Sequence, residues 1–331
     1  MKYLVGRDNL AVTVFVPYDC PNNCPFCTSK HEYRHNENFS MEAILESLKT
    51  VLTLSAVKDI VITGGEPFAN LKLLNEILEA IKVFDARNYT SHNVFINTTL
   101  PTTAENAKTL EAFIVAAYKR RLFTGLNVSR HILFRTNLEN DKLIRHLCSR
   151  GISVRINSVV IGRETVEQLE DFIDKYNFVN QINFRADYRN IITQDDLRGY
   201  NNVTLQNLFQ LEYYNYASST GCHVCNTDKF IPEYHDDPIV CLHRGMEHSK
   251  LVVVDGAIEE VNDIIIKQDG RILFDWDEDG SRDIAELDWS TFHDNEYNKD
   301  DEDDDDYGYS GGHSYPSCGF SFGSCGVRNG C

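Results

Sequence analysis

The sequence lacks a long apolar run and an excess of basic residues, and each absence excludes a class of protein. No apolar stretch approaches the roughly 20 residues of a membrane-spanning helix, and the first residues have no signal-peptide core. We therefore expect a cytoplasmic protein that has no membrane partner. The 32 Lys and Arg residues stand against 50 Asp and Glu, and the net charge of −18 argues against binding a nucleic-acid backbone.

Cysteine, in contrast, is abundant, with ten among 331 residues. Thiols stay reduced in the cytoplasm, so clustered cysteines there indicate metal binding rather than disulfide bonds. The chain is also long enough for a large domain with an appendage, because α/β barrels often exceed about 200 residues. Its 42% of hydrophobic residues can fill a substantial core.

Apolar, β-branched runs alternate with helical patterns from the N-terminus to about residue 217. This alternation predicts an α/β fold in which helices cover a parallel sheet. Six β–α units are too few to close an eight-stranded barrel, so we predict a partial, TIM-type (β/α)6 barrel over residues 1–217. The predicted strands cover 10–16, 59–63, 93–98, 126–129, 153–161 and 181–186. The predicted helices cover 41–52, 71–84, 104–121, 141–150, 166–176 and 203–216, and Ser40 is the predicted cap of the first.

Two further regions differ in composition. Residues 218–290 have short predicted strands over 250–254, 263–267 and 271–276, with a hairpin turn at 268–270. The same region contains three cysteines, Cys222, Cys225 and Cys241, and we predict a small metal-binding subdomain there. Residues 291–331 contain seven consecutive acidic residues and then Gly, Ser, aromatic residues and cysteines, a composition that predicts a disordered tail.

The most informative motif, Cys20-Pro-Asn-Asn-Cys24-Pro-Phe-Cys27, directly follows the first predicted strand. Three thiolates in one loop can bind three irons of a cuboidal [4Fe–4S] cluster and leave the fourth iron open to a substrate or cofactor. The alternative is a zinc site, with His31 or His35 as the fourth ligand. A second motif, Gly64-Gly65-Glu66-Pro67, follows the second predicted strand, and active sites of such sheets lie at the strand ends.

Together these motifs resemble those of the radical S-adenosylmethionine superfamily. The resemblance implies an enzyme whose open iron chelates S-adenosylmethionine and whose reduced cluster cleaves this cofactor to a 5′-deoxyadenosyl radical. It implies a flavodoxin-like or ferredoxin-like one-electron reductant and a peptide or small-molecule substrate. The catalytic cluster ligands would be Cys20, Cys24 and Cys27. The cofactor would be held by Gly64, Gly65 and Glu66, with Glu66 on its ammonium group, and by Phe26 near its adenine.

Two later strands resemble the branch of this superfamily that contains the GTP cyclase of molybdopterin synthesis. By position, this resemblance implies that Ser129 and Arg155 contact the methionine carboxylate or the ribose of the cofactor, as would Thr99 or Asn97 on the third strand. It also implies that Cys222, Cys225 and Cys241 bind a second [4Fe–4S] cluster, with zinc as the alternative. Thr227-Asp228-Lys229 stands where the cyclase has arginines for its triphosphate, so GTP is the runner-up substrate.

One alternative concerns the function of the whole chain. A non-catalytic zinc or iron–sulfur protein would also explain the cysteines, but it would have no use for Gly64-Gly65-Glu66-Pro67.

The tail has two interpretations. Cys318, Cys325 and Cys331 among Gly, Ser and aromatic residues resemble the core of a peptide that radical maturases modify. Composition alone favours a disordered tail or a weak metal binder.

Overall fold

The computed structural model describes most of the first half of the chain and separate segments of the second half. The described residues are 3–5, 10–27, 38–136, 138–187, 214–221, 225–233, 238–246, 252–254, 258–261, 263–274, 280–288, 318–319 and 324–325. Among them, no helix combines the length and the apolar character needed to cross a membrane.

Six parallel strands, hydrogen-bonded in sequence order, form the centre of the fold. After a short strand β1 (Tyr3–Leu4), they are β2 (Leu10–Val16), β3 (Val57–Gly64), β4 (Asn93–Thr98), β5 (Gly125–Ser129), β6 (Ser153–Val160) and β7 (Gln181–Ala186). The connecting helices are α1 (Met41–Val51), α2 (Leu71–Asn88), α3 (Ala107–Lys119), α4 (Asp141–Ser149) and α5 (Val166–Lys175). Parallel strands in this order with helical crossovers are typical of a TIM-type barrel, so the predicted α/β class is confirmed.

The helices cover one face of the sheet because their apolar residues recur three and four positions apart. Ile44 and Leu48 of α1 are buried and share a core with Val12 and Val14 of β2. The alternate residues of each strand therefore face the other side, the concave inside of the barrel. Ser40 caps α1 as predicted, since its hydroxyl accepts a hydrogen bond from a backbone N–H of the first turn.

Strands from the second half of the chain extend the sheet at both edges. They are β8 (Tyr214–Gly221), β9 (Cys225–Pro232), β10 (Ile239–Met246), β11 (Val252–Val254), β12 (Ile258–Glu260), β13 (Asp263–Ile266), β14 (Ile272–Leu273) and β15 (Leu287–Asp288). Parallel β13 adjoins β2 and continues to β14, while parallel β10 adjoins β7 and continues to β9 and β8. Since β14 and β8 end this sheet without pairing, the described barrel is open, as predicted.

A second, smaller sheet has the order β11-β12-β1-β15. It combines the N-terminal strand with strands from the predicted subdomain, and that subdomain also supplies β10 and β13 to the barrel sheet. The division of the chain at residue 217 therefore stays a prediction. The predicted hairpin turn is confirmed, because Gly270, with φ of 85°, lies between the antiparallel strands β13 and β14.

The predicted sixth helix is wrong at its C-terminal end. Residues 214–216 belong to strand β8, and residues 203–213 lie outside the described residues. Tyr214, Tyr216 and Ser218 alternate along this segment, and alternation that includes aromatic residues favours a strand over a helix. In the tail, the structure describes β16 (Cys318–Gly319) and β17 (Ser324–Cys325), which pair antiparallel. The remainder of 291–331 lies outside the described part of the chain.

Candidate active site

The loop after β2 carries the three cysteines of the first motif. Cys20, Cys24 and Cys27 form no disulfide bond and are half-buried, and a hydrogen bond of 3.2 Å from the Cys27 N–H to the Cys24 carbonyl fixes the turn between them. The Tyr18 hydroxyl lies 3.8 Å from Cys27 Sγ. Burial raises the pKa of Tyr18 far above its usual range, and the charges of Cys27, Cys20 and Cys24 raise it further. The Tyr18 hydroxyl is therefore neutral and next to the last cysteine of the motif.

The thiol of Cys20 is held in its neutral form when no metal is bound. Burial, together with the charges of Glu66 and Cys27, raises its pKa to about 11. A metal must therefore displace the proton of Cys20 at neutral pH, because only the thiolate is a strong ligand. The effect of Glu66 on this pKa also shows that the two motifs predicted from the sequence lie close together.

The two glycines of the second motif let its backbone pack directly on the cysteine loop. A Cβ atom at Gly65 would lie 2.4 Å from Asp19 N and 2.5 Å from Pro17 O. At Gly64, where φ is 119°, a Cβ atom would lie 2.3 Å from Val16 O. Only glycine fits at these two positions. The space next to them is thus taken by the cysteine loop itself, and their predicted contact with the cofactor stays a prediction.

Glu66 is the best-bonded side chain of the site. One of its oxygens accepts hydrogen bonds from Phe68 N at 3.1 Å and Thr98 Oγ1 at 2.6 Å. The other accepts from Thr99 N at 2.8 Å and Thr99 Oγ1 at 2.7 Å. The side chain is only 2% exposed. Burial raises the pKa of Glu66, whereas the hydrogen bonds from the two threonines lower it.

Arg130 supports Thr99 from the other side, a role that the sequence patterns missed. Its Nη1 atom donates to the carbonyls of Thr99 at 2.7 Å and Ser129 at 2.8 Å, and its Nε atom donates to Asp141 at 3.1 Å. The guanidinium is therefore held at the carboxyl ends of β4 and β5. The position of Arg130 in the sequence could have indicated this role. It directly follows an apolar strand that ends at the barrel mouth, and a cation in such a place requires partners.

Phe26, predicted to lie near the adenine, packs against two aromatic rings of the β5–α4 connection. His131 and Phe134 contact it edge-to-face, with ring centroids 4.3 Å and 5.8 Å away. Burial lowers the pKa of His131 to about 3, and the charge of Arg130 lowers it further, so this imidazole is neutral. Its Nδ1 atom accepts the backbone N–H of Val159 at 3.0 Å. Through Phe26, the cysteine loop therefore contacts the β5–α4 connection, which is bonded to β6, as well as the end of β3.

Ser129 and Arg155 lie on the inner face of β5 and β6 as the parallel register predicts. The Arg155 guanidinium lies 4.5 Å from the ring centroid of Phe95 and is mostly buried. Next to them runs a row of side-chain amides, which we call the amide row. It consists of Asn97, Asn127, Asn157, Asn183 and Gln181, with hydrogen bonds of 2.9 Å from Asn127 to Asn97, 2.8 Å from Asn183 to Asn157 and 2.5 Å from Gln181 to Asn183.

The three thiols of the cysteine loop are the donor set of the predicted [4Fe–4S] cluster with one open iron. Within the described ranges, no three His, Cys, Asp or Glu side chains form a group that could hold a single metal ion. A cuboidal cluster takes one thiolate per iron, so its thiols are spread around it. The zinc alternative depends on His31 or His35, which lie outside the described residues.

Two cysteines of the predicted second centre, Cys225 and Cys241, have described positions, and they lie apart on neighbouring strands. Cys241 is buried in β10 and lies 3.2 Å from Gln181 Nε2. Its partner in the neighbouring strand is Lys229, four residues beyond Cys225. At the rise of a β-strand, four residues span about 13 Å. Cys222 lies outside the described residues.

Comparison with known proteins identifies the class of this fold and site. Residues 14–176 match the family model described as the radical SAM superfamily. No curated protein matches the chain. Residues 14–176 therefore belong to the radical SAM superfamily. Membership implies a [4Fe–4S] cluster and S-adenosylmethionine as cofactors, together with a reductant and a substrate. It does not distinguish branches, so the resemblance to the GTP cyclase branch stays a prediction.

Three solved structures illustrate the similarity. SuiB of Streptococcus suis is 16% identical, and the match covers 84% of this chain and 63% of that one with a TM-score of 0.49. The anSMEcpe structure with bound AdoMet is 14% identical over 62% of this chain and 60% of that one, with a TM-score of 0.45. HemN from Escherichia coli, described as a radical SAM enzyme, is 10% identical over 72% and 71%, with a TM-score of 0.37. The chain spans less than two thirds of the first two structures.

Proposed function

We propose that the protein cleaves S-adenosylmethionine reductively and directs the resulting radical at a hydrogen atom of a peptide or small-molecule substrate in the barrel. When bound, the cluster supplies the electron that breaks a carbon–sulfur bond of the cofactor and yields a 5′-deoxyadenosyl radical. Cys20, Cys24 and Cys27 would hold this cluster. A flavodoxin-like or ferredoxin-like protein would deliver the electron.

The observation that carries the proposal is the direct packing of the two motifs. Gly65 touches the backbone of residues 17–19, so Glu66 is fixed beside the cysteine loop. A buried carboxylate next to an iron–sulfur loop suits the ammonium group of the cofactor. All four hydrogen bonds to Glu66 come from the protein, but that of the Thr99 hydroxyl can be released by rotation. We propose that the ammonium group takes this place.

Anaerobic reconstitution tests the proposal. With a strong reductant, the reconstituted enzyme should convert S-adenosylmethionine into 5′-deoxyadenosine and methionine. Cys20→Ser, Cys24→Ser and Cys27→Ser should each lose the cluster absorbance and this activity. Cys148→Ser is the matched control, because Cys148 is also free and half-buried but lies in α4, outside the cysteine loop. Absence of 5′-deoxyadenosine from iron-loaded enzyme would refute the proposal and favour a non-catalytic zinc or iron–sulfur protein.

A second metal centre on Cys222, Cys225 and Cys241 is a separate part of the proposal. It requires the β9–β10 pair to change its register, because Cys225 and Cys241 lie apart in the structure. Iron analysis after reconstitution separates the outcomes. Two clusters give about eight irons per chain, and one cluster with zinc gives about four irons and one zinc, following the cluster composition. Four irons without zinc would remove the second centre from the proposal.

A peptide is the substrate class that a specific observation favours. The tail strand β16 lies against β2, with Cα atoms within 8 Å. Both edges of β2 are paired, with β3 and β13, and α1 covers its outer face. We infer from this that the tail strand lies on the inner face of the barrel. We propose that the segment with Cys318 and Cys325 is a peptide substrate or ligand carried by the chain itself.

Mass spectrometry of the tail tests this assignment. After turnover, the full chain should show a mass change within residues 291–331, and a chain that ends at residue 290 should modify a synthetic 291–331 peptide added to it. An unchanged tail mass while 5′-deoxyadenosine accumulates rejects the peptide in cis. Conversion of GTP under the same conditions would instead support the GTP 3′,8-cyclase-like alternative.

A further inference from the structure

Two of the three cysteines in the first motif have a hydrogen-bond donor of the protein next to their sulfur. The backbone N–H of Asn22 donates to Cys20, and the Tyr18 hydroxyl lies 3.8 Å from Cys27 Sγ. A thiolate is an ionised acceptor, so it binds such donors more strongly than a neutral thiol does. Of these two donors, the phenol is the one that belongs to a side chain. Tyr18 is therefore the donor that a single substitution can remove.

Tyr18 and Cys27 are both held in place by contacts outside the pair. A Cβ atom at Gly65 would lie 2.7 Å from Tyr18 Cα, so the backbone of Tyr18 packs directly on the second motif. Phe26, the residue before Cys27, is buried and packs edge-to-face on His131. The barrel itself therefore positions the hydroxyl and the sulfur relative to each other.

A hydrogen bond to a ligating sulfur changes how readily a cluster accepts an electron. Iron binds Cys27 as its thiolate, which has no proton to donate. A phenol has an ordinary pKa of about 10 and keeps its proton at neutral pH, so Tyr18 is the donor of the pair. Reduction adds a negative charge to the cluster and its thiolates, and this charge strengthens the hydrogen bond. For this reason, hydrogen bonds to the sulfurs are among the factors that set the reduction potential of iron–sulfur clusters.

We propose that Tyr18 is a positioning residue that acts through Cys27: its hydroxyl donates to the ligating thiolate and makes the cluster easier to reduce. The inference rests on the proposed function for the identity of the cluster. The competing explanation is that Tyr18 only fills space beside the cysteine loop, a role that requires the ring but not the hydroxyl. Tyr18→Phe separates the two explanations, because it keeps the ring and removes only the O–H group.

A potentiometric titration of the reconstituted full chain tests the proposal, with the reduced cluster measured by electron paramagnetic resonance in the absence of S-adenosylmethionine. At a fixed potential, Tyr18→Phe should have an about tenfold lower ratio of reduced to oxidised cluster, as expected for a charge-assisted hydrogen bond that weakens on oxidation. For one electron, this ratio corresponds to a midpoint potential about 59 mV more negative.

Tyr89→Phe is the matched control, because it removes the same hydroxyl group at a distant place. Tyr89 is 98% exposed and lies between α2 and β4, at the end of the barrel opposite to the cysteine loop. Its midpoint potential should equal that of the wild type.

A second readout detects the hydrogen bond itself. After exchange into D2O, electron–nuclear double resonance of the reduced wild-type cluster should show the coupling of a phenolic deuteron. The spectrum of Tyr18→Phe should lack this coupling, whereas that of Tyr89→Phe should keep it. A role of the Tyr18 ring in packing alone would change neither the midpoint potential nor the deuteron coupling.

The proposal is overturned if Tyr18→Phe binds as much iron as the wild type and its ratio of reduced to oxidised cluster changes less than about twofold. A more positive midpoint potential of this variant overturns it as well. If Tyr18→Phe does not retain iron, 3-fluorotyrosine is incorporated at position 18 alone. Its more acidic phenol is a stronger donor, so the midpoint potential should then be more positive than that of the wild type, and an unchanged value rejects the proposal.

Failure of the proposed function is distinguishable from failure of this inference. The titration requires the cluster but not the cleavage of S-adenosylmethionine. A wild type that has a reducible cluster but forms no 5′-deoxyadenosine contradicts the proposed function, and the effect of Tyr18 on the potential is still measured. A wild type that binds no cluster overturns both.

Discussion

Replacing Glu66 with glutamine should destabilise the chain even before any cofactor is present. Four donors from Phe68, Thr98 and Thr99 meet the carboxylate at 2.6 to 3.1 Å. A glutamine amide nitrogen cannot accept, so one backbone N–H, that of Phe68 or of Thr99, becomes buried and unsatisfied, whereas the threonine hydroxyl on the same side can turn and accept from the amide. A hydrogen bond to a charged group contributes about 1.5–3 kcal/mol, and the remaining bonds weaken when their acceptor loses its charge. Removing a buried charge offsets part of this loss, and we expect about 1–3 kcal/mol net.

Urea unfolding of the metal-free chain measures this loss directly. The matched control is Glu79→Gln, which removes a carboxylate that pairs with Arg120 on the surface. An exposed pair contributes about 0–1 kcal/mol, so this control should unfold almost like the wild type. If Glu66→Gln and Glu79→Gln lose equal free energies of unfolding, then the hydrogen bonds to Glu66 do not hold the barrel mouth together. The reasoning on its role would then be wrong.

Three further predictions concern the same site. Gly65→Ala should lower the iron bound after reconstitution to less than half of the wild-type amount, because the new Cβ atom would clash with the backbone of the cysteine loop. Gly280→Ala is the control: its Cβ atom would have no other atom within 4 Å, so this variant should bind iron normally. The pKa of His131 is about 3 in the folded chain, against the usual histidine value of 6.5. Between these two values His131 takes up a proton only in the unfolded chain. The free energy of unfolding should therefore fall as the pH is lowered through this window, by at most about 1.4 kcal/mol per pH unit. His131→Asn, which keeps an acceptor for the Val159 N–H, should flatten this dependence in urea titrations at several pH values, and an unchanged slope would contradict the assignment. The pKa of Cys20 is about 11, so iron must displace the proton of this thiol. Retention of the cluster against a chelator should therefore improve from about pH 6.5 to about pH 8.5. Retention that does not depend on pH would contradict this.

The central sheet could be predicted from the sequence because its strands and helices have clear periodicities. Every predicted strand from 10–16 to 181–186 overlaps a strand of the structure, and the five predicted helices between them overlap helices. The sheet edges could not be predicted, because β10 and β13 pair with β7 and β2 across long stretches of chain. Pairing between distant strands depends on tertiary contacts, and local patterns carry no information about it.

In the candidate site, too, some residues could be predicted from local sequence patterns and others could not. Cys20, Cys24, Cys27 and Glu66 could be recognised because motifs with fixed spacing follow predicted strands. Arg130 could not, although it binds the backbone beside Glu66, because a single arginine has no spacing pattern. Its role emerges only when the carbonyls at the ends of β4 and β5 lie side by side.

The amide row bears on the choice between a peptide and a triphosphate substrate. Asn127 Oδ1 and Asn157 Nδ2 are buried on neighbouring strands and have no hydrogen-bond partner among the described residues. One is an acceptor and the other a donor, and a peptide group offers the matching N–H and carbonyl. The triphosphate group of GTP offers acceptors only, so Asn127 Oδ1 would need a donor from the guanine or the ribose. Two inner-face cations also have partners already, since Arg155 stacks on Phe95 and Lys267 lies over the ring of Phe15. These contacts support the proposal of an amide-bearing substrate, because a peptide group matches both amide atoms and needs no free cation.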